Sequence, residues 1–87
     1  MTYRFWDEDR ALNKLLARRP REQWALYELC AELARHPFVE PELKLRGDSV
    51  RPILVGVFGS TLVHYWVDHA INCVKIVDFE FVEDEPR

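Results

Sequence analysis

The sequence predicts an α+β domain in which an N-terminal short strand and a helical hairpin pack on a twisted antiparallel sheet of three to four further strands. Residues 61–68, Thr-Leu-Val-His-Tyr-Trp-Val-Asp, are almost wholly β-branched and aromatic, and they lie between two further strand-like runs, 53–58 and 73–82. Short turns join the three runs into a meander. Upstream of them, apolar residues recur at the three-and-four spacing of helices rather than in alternation.

A chain of 87 residues, 48% of them apolar, has room for one domain with one core, here residues 1–87, of which 83–87 form a solvated acidic tail. A domain this small buries a modest share of its surface, so a partner or a second copy of the chain that covers apolar surface adds stability. No run approaches the ~18 apolar residues of a spanning helix, and the N-terminus lacks the apolar stretch of a signal peptide. The expected location is the cytoplasm, without a membrane. Cys30 and Cys73 are far apart and read as small apolar core residues in a reducing compartment. The net charge of −3 is unevenly spread: residues 1–51 hold ten Lys or Arg against nine Asp or Glu, and residues 52–87 two against six. The sheet-forming half is thus acidic, which argues against a broad nucleic-acid footprint on the hairpins.

Residues 2–6 alternate Tyr3 and Phe5 with Arg4 and Trp6, and fit an edge strand added to the meander. Asp7 is suited to cap a first helix of about three turns, with Glu8 and Asp9 in its first turn and Arg18 and Arg19 in its last. Ala11, Leu12, Leu15 and Leu16 form its apolar face. Pro20 stops this helix and suits the first position of the next, which runs over 20–35. Its stripe is broad: Trp24, Tyr27, Cys30, Ala31 and Ala34 on one side, widened by Leu26, Leu29 and Leu33. Either it packs against both the first helix and the sheet, the plainer reading, or part of it awaits a partner. His36-Pro37 ends the helix.

Residues 42–46 alternate as a short strand, 47–49 form a turn, and Pro52 precedes a strand that is apolar on both faces, as in the middle of a sheet. Gly59-Ser60, glycine first, is a type II′ hairpin loop. In the next strand Leu62, His64 and Trp66 share one face and Val63, Tyr65 and Val67 the other. Simple alternation in the last strand groups Cys73, Lys75, Val77, Phe79 and Phe81 against Val74, Ile76, Asp78, Glu80 and Val82.

The order short strand, helical hairpin, meander, together with Lys44-Leu45-Arg46-Gly47 after the helices and Leu62-Val63-His64-Tyr65-Trp66-Val67-Asp68 in the strongest strand, resembles the RelE/ParE superfamily of bacterial type II toxins. The resemblance covers nearly the whole chain through loose, mostly structural motifs. It implies a growth-inhibiting toxin neutralised by a cognate antitoxin seated on an exposed apolar groove. Its targets would be mRNA in the ribosome, which the RelE branch cuts, or DNA gyrase, which the ParE branch poisons. The RelE chemistry uses Lys and Arg on central strands and a Tyr or His near the C-terminus. Here residues 53–58 carry no charge, Thr61 stands where an arginine is common, and the C-terminus is acidic. The alternative implied by those departures is a catalytically silent member of the fold that acts as a binding or regulatory module.

Lys44, Arg46 and Arg51 lie within eight residues around a turn and can converge on a phosphate or an acidic partner segment, or simply line a solvated turn. Arg18, Arg19 and Arg21 form a second basic cluster, read as charge complementing a helix end. His64 is the candidate general base or acid, set against its reading as a half-buried strand residue. A metal set from His64, Asp68, His69 and Cys73 lacks any paired-ligand spacing, so no metal or cofactor is expected. Asp78 and Glu80 read as a solvated strand face rather than an acid pair. There is no phosphate loop and no nucleophile elbow.

Overall fold

The computed structural model describes residues 2–38, 43–45 and 53–82, with residues 43–45 described as backbone only. Strand β1 (Arg4–Asp7) leads into helices α1 (Asp9–Leu16) and α2 (Pro20–Arg35), followed by β2 (Leu43–Leu45), β3 (Ile53–Phe58), β4 (Thr61–Asp68) and β5 (Cys73–Phe81). The turn expected at 47–49, Pro52 and the acidic tail lie outside the described residues. All five strands form one sheet in the order β1-β5-β4-β3-β2. Strands β2 to β5 make the expected antiparallel meander, and β1 joins as an edge strand beside β5 but parallel to it, so the sheet is mixed. A strand separated from its neighbour by two helices and three strands is not held to the antiparallel direction that a hairpin imposes.

Helix α1 is shorter than its apolar pattern suggests, eight residues rather than three turns. Asp7, expected as its cap, instead pairs with Ile76 as the last residue of β1. Glu8 takes the cap position with an extended backbone (φ −73°, ψ 166°) and makes no side-chain bond to the helix. Sheet register here overrides capping preference. The base in the last turn is Lys14, because the helix stops before Arg18 and Arg19. Its exposed carbonyl end is closed from the next helix: Gln23 Nε2 donates to the carbonyls of Leu16 (3.3 Å) and Arg18 (2.8 Å). Pro20 begins α2 as expected.

The core lies between the helices and one face of the sheet, where Ala11, Leu26, Cys30, Leu33 and Ala34 meet Val63, Tyr65, Val74, Ile76 and Phe79. Strict alternation along β5 would put Ile76 and Phe79 on opposite faces, yet both are 0% exposed in this one core. A β-bulge explains the difference. His64 pairs with Asp78 and Tyr65 with Ile76, so Val77 is an extra residue without a partner on β4, and the faces exchange at that point. Phe79 thereby sits opposite Val63, and half-buried Phe81 packs against the same core.

Strand β1 pairs with β5 only as far as Ile76. Beyond it the edge of β5 is covered from α1: Glu8 N–H donates to Ile76 O (2.8 Å), and Lys14 Nζ donates to Phe79 O at 3.0 Å while pairing with Asp78 Oδ1 at 2.9 Å. A parallel edge that would otherwise offer free carbonyls is thus closed. At the opposite hairpin Gly59 has φ +62°, the positive value that a II′ turn requires at its first loop position.

The stripe on α2 does not go wholly inside. Leu26, Cys30, Leu33 and Ala34 are buried, whereas Trp24 is 67% and Tyr27 47% exposed, their rings stacked 5.5 Å apart. One sheet face accommodates a narrower stripe than the sequence offers, so packing against α1 and the sheet does not account for its full breadth.

Candidate functional site: the open face of the sheet

Alternation along β4 turns Val63 and Tyr65 into the core, and so turns Leu62, His64 and Trp66 to the face away from the helices. The bulge in β5 brings Glu80 to that same face, opposite Leu62. His64 Nε2 lies 3.2 Å from Glu80 Oε1, with the His64 side chain 18% and that of Glu80 59% exposed. The carboxylate fixes the ring orientation and favours the tautomer with its proton on Nε2, leaving Nδ1 as the atom able to take a proton. Arranged in this way, histidine and carboxylate are the parts of a general base.

Asp78 and Glu80, which alternation placed together on a solvated face, are separated by their partners. Glu80 serves His64, and Asp78, with a side chain only 19% exposed, pairs with Lys14 at 2.9 Å and Arg10 at 3.9 Å. The acid pair therefore does not form.

Of the three cations singled out around the turn, only Lys44 lies among the described residues, where its backbone pairs with Leu54 of β3. Leu54 in turn pairs with Tyr65, which enters the core, so the register row of Lys44 belongs to the helix side of the sheet and not to the open face that carries His64. Arg46 and Arg51 lie outside the described residues. The second basic cluster is structural at Arg18, which pairs with Glu22 (3.2 Å) and holds its guanidinium 4.1 Å from the centre of the Phe81 ring.

Among the described residues no three His, Cys, Asp or Glu side chains gather as a metal set. Those that the sequence brought to mind are otherwise engaged. Asp68 Oδ1 accepts from Ala70 N–H, Cys73 Sγ lies 3.8 Å from the Val74 carbonyl, and exposed His69 takes the Tyr3 hydroxyl at Nδ1 (2.7 Å) while stacking on Phe38. Both cysteines are free and buried. None of the described helices is long and apolar enough to cross a membrane.

Sequence reasoning missed two features of this face. Glu80 as the partner of His64 depends on the bulge, which no local pattern announces. Trp6, Lys75 and Trp66 form one row across β1, β5 and β4, because Lys75 pairs with Trp6 on one side and Trp66 on the other. The only sequence signal for that row is the outward parity of each residue in its own strand.

A groove of about 420 Å³ opens elsewhere, between α2 and the end of β5, with Leu26, Leu29 and Phe81 in its walls and Arg18 and Glu22 at its side.

No protein-family model and no curated protein matches this chain. Solved structures do. A chain of the RelBE2 toxin–antitoxin complex from Mycobacterium tuberculosis matches with a TM-score of 0.73 at 20% identity, over 93% of this chain and 99% of that one. A chain of the archaeal RelE–RelB complex from Pyrococcus horikoshii matches with a TM-score of 0.72 at 19% identity, over 98% of this chain and the whole of that one. The chain therefore has the RelE fold, as its element order and motifs led one to expect.

Proposed function

We propose that this chain is the toxin half of a toxin–antitoxin pair, a protein that halts growth and is held inactive by a dedicated antitoxin. The observation that carries this reading is the shared fold over nearly the full length of both chains, with a chain of a toxin–antitoxin complex and a chain of a RelE–RelB complex. The groove beside α2 and the exposed Trp24–Tyr27 stack supply apolar surface for an antitoxin segment.

Between RNA and gyrase as the target, the His64–Glu80 pair favours RNA. A base at His64 Nδ1 takes the proton of a ribose 2′-hydroxyl, whose oxygen attacks the adjacent phosphorus. The P–O5′ bond breaks, giving a cyclic 2′,3′-phosphate and a 5′-hydroxyl that is protonated from solvent. Of the three cations around the turn, Arg46 and Arg51 are the candidates for the positive charge this reaction needs at the phosphate, since the register row of Lys44 belongs to the other face.

The test is growth of a bacterial host after induced expression of wild type, His64→Ala, and the triple variant Lys44→Ala, Arg46→Ala, Arg51→Ala, with mRNA 5′ ends mapped. Arrest with new mRNA ends from wild type, and loss of at least tenfold in cleavage with either variant, is the expected result. Arrest without new ends, accompanied by loss of DNA supercoiling and undiminished in His64→Ala, would move the target to gyrase. No arrest by folded wild type would overturn the toxin reading and leave a silent binding module.

A further inference from the structure

We propose that the row Trp6, Lys75 and Trp66 is a stacking platform for a base of single-stranded RNA, seated next to the His64–Glu80 pair. The inference rests on the reading of this face as RNA-cleaving and names the part that would hold the substrate.

Three observations carry it. Trp6 on the edge strand is 62% exposed, although its neighbours in β1 turn inward: Phe5 packs against the core and Asp7 meets Cys30. Residues paired across strands share a face, so the indoles of Trp6 and Trp66 flank Lys75 from its two sides. Trp66 lies two residues along β4 from His64, ~7 Å of strand. That is within the span of one nucleotide between a reacting ribose and the base beside it.

The chemistry of the row suits a nucleotide. An aromatic face stacks on any base, and an ammonium beside it meets the phosphate. Of the carboxylates around the row, Glu8 Oε2 accepts Trp66 Nε1 at 3.5 Å, Glu80 holds His64 and Asp78 pairs with Lys14, while exposed Asp9 lies on the α1 side of the groove. Among the described residues Lys75 has no ion-pair partner. A groove of about 510 Å³, lined by Trp6, Glu8, Asp9, Arg10, Lys75 and Val77, gives the ring and its ribose room at this end of the sheet. A duplex would not serve, because its bases are already stacked on one another. The platform therefore selects unpaired RNA.

The experiment titrates the folded protein, carrying Trp24→Phe so that only Trp6 and Trp66 fluoresce, with a short single-stranded 2′-O-methyl RNA that cannot be cut. Saturable indole quenching that weakens with salt is expected, at least tenfold weaker in Trp6→Ala but nearly unchanged in Trp6→Phe. Lys75→Ala should lower affinity and reduce the salt slope by about one. Equal affinity in Trp6→Ala, or no quenching in wild type, would overturn the platform. The two readings fail separately: growth arrest without oligonucleotide binding sinks the platform and leaves the toxin, whereas Trp6-dependent binding without RNA cleavage supports the platform and sinks the nuclease.

Discussion

Asp7 is half-buried at the end of β1, and burial pushes its carboxyl above the ordinary 3.8, partly offset by the hydrogen bond from Cys30 Sγ at 3.8 Å. The same burial, together with the Asp7 carboxylate, drives the Cys30 thiol far up, so Cys30 stays a neutral core residue rather than a nucleophile. Because the folded state holds the Asp7 proton to a higher pH than the unfolded chain does, stability is present at low pH and is lost as pH rises from 3.8 through the folded value. Asp7→Asn keeps the oxygen acceptor and removes the charge. Thermal melts should show a higher Tm at neutral pH and a flatter profile above the ordinary carboxylate range. A lower Tm throughout would show that the charge itself stabilises the fold.

Strand β5 depends on one extra residue. Val77 has no partner on β4, and its presence lets Val74 and Ile76 share a core with Phe79. Deleting Val77 restores strict alternation and swings the faces of the strand: either Phe79 leaves the core or the β4 register slips and inverts His64 and Glu80. Loss of the cooperative urea transition is expected, since exposing a Phe-sized core side chain alone costs ~3–5 kcal/mol. Val77→Ala keeps the bulge and should cost only about 1 kcal/mol. A deletion variant with wild-type stability and near-ultraviolet circular dichroism would show that the bulge does not set the faces. The element also shows what local reading reaches. Strands β3, β4 and β5 were legible from their β-branched runs, but the bulge was not, because an unpaired residue inside such a run looks like any other strand residue.

At the scale of the molecule, the exposed apolar surface among the described residues includes the Trp24–Tyr27 stack on α2 and Trp6 with its row on the open sheet. Covering such surface would add stability to a domain this small. Trp24→Glu should change the free energy of unfolding by no more than about 0.5 kcal/mol by urea titration, because the ring contributes surface rather than core. A loss above ~2 kcal/mol would place Trp24 in the packing after all. Charge shows the same division of labour. The acidic balance of the second half spoke against RNA, but Asp78 of that half is paired with Lys14 of the first, so counting charge by halves overstated the negative charge the sheet presents.

The sequence by itself determined α2 from Pro20 to Arg35, strand β4 from Thr61 to Asp68, the glycine-first hairpin and the fold they build. These follow from proline geometry, hydrophobic period and turn chemistry, which act between near neighbours along the chain. Tertiary structure alone decided that β1 runs parallel to β5, that Asp7 ends a strand instead of starting a helix, that Trp24 stays outside, and that Glu80 meets His64. Each of those depends on register between segments tens of residues apart, where one inserted residue exchanges the faces of a strand.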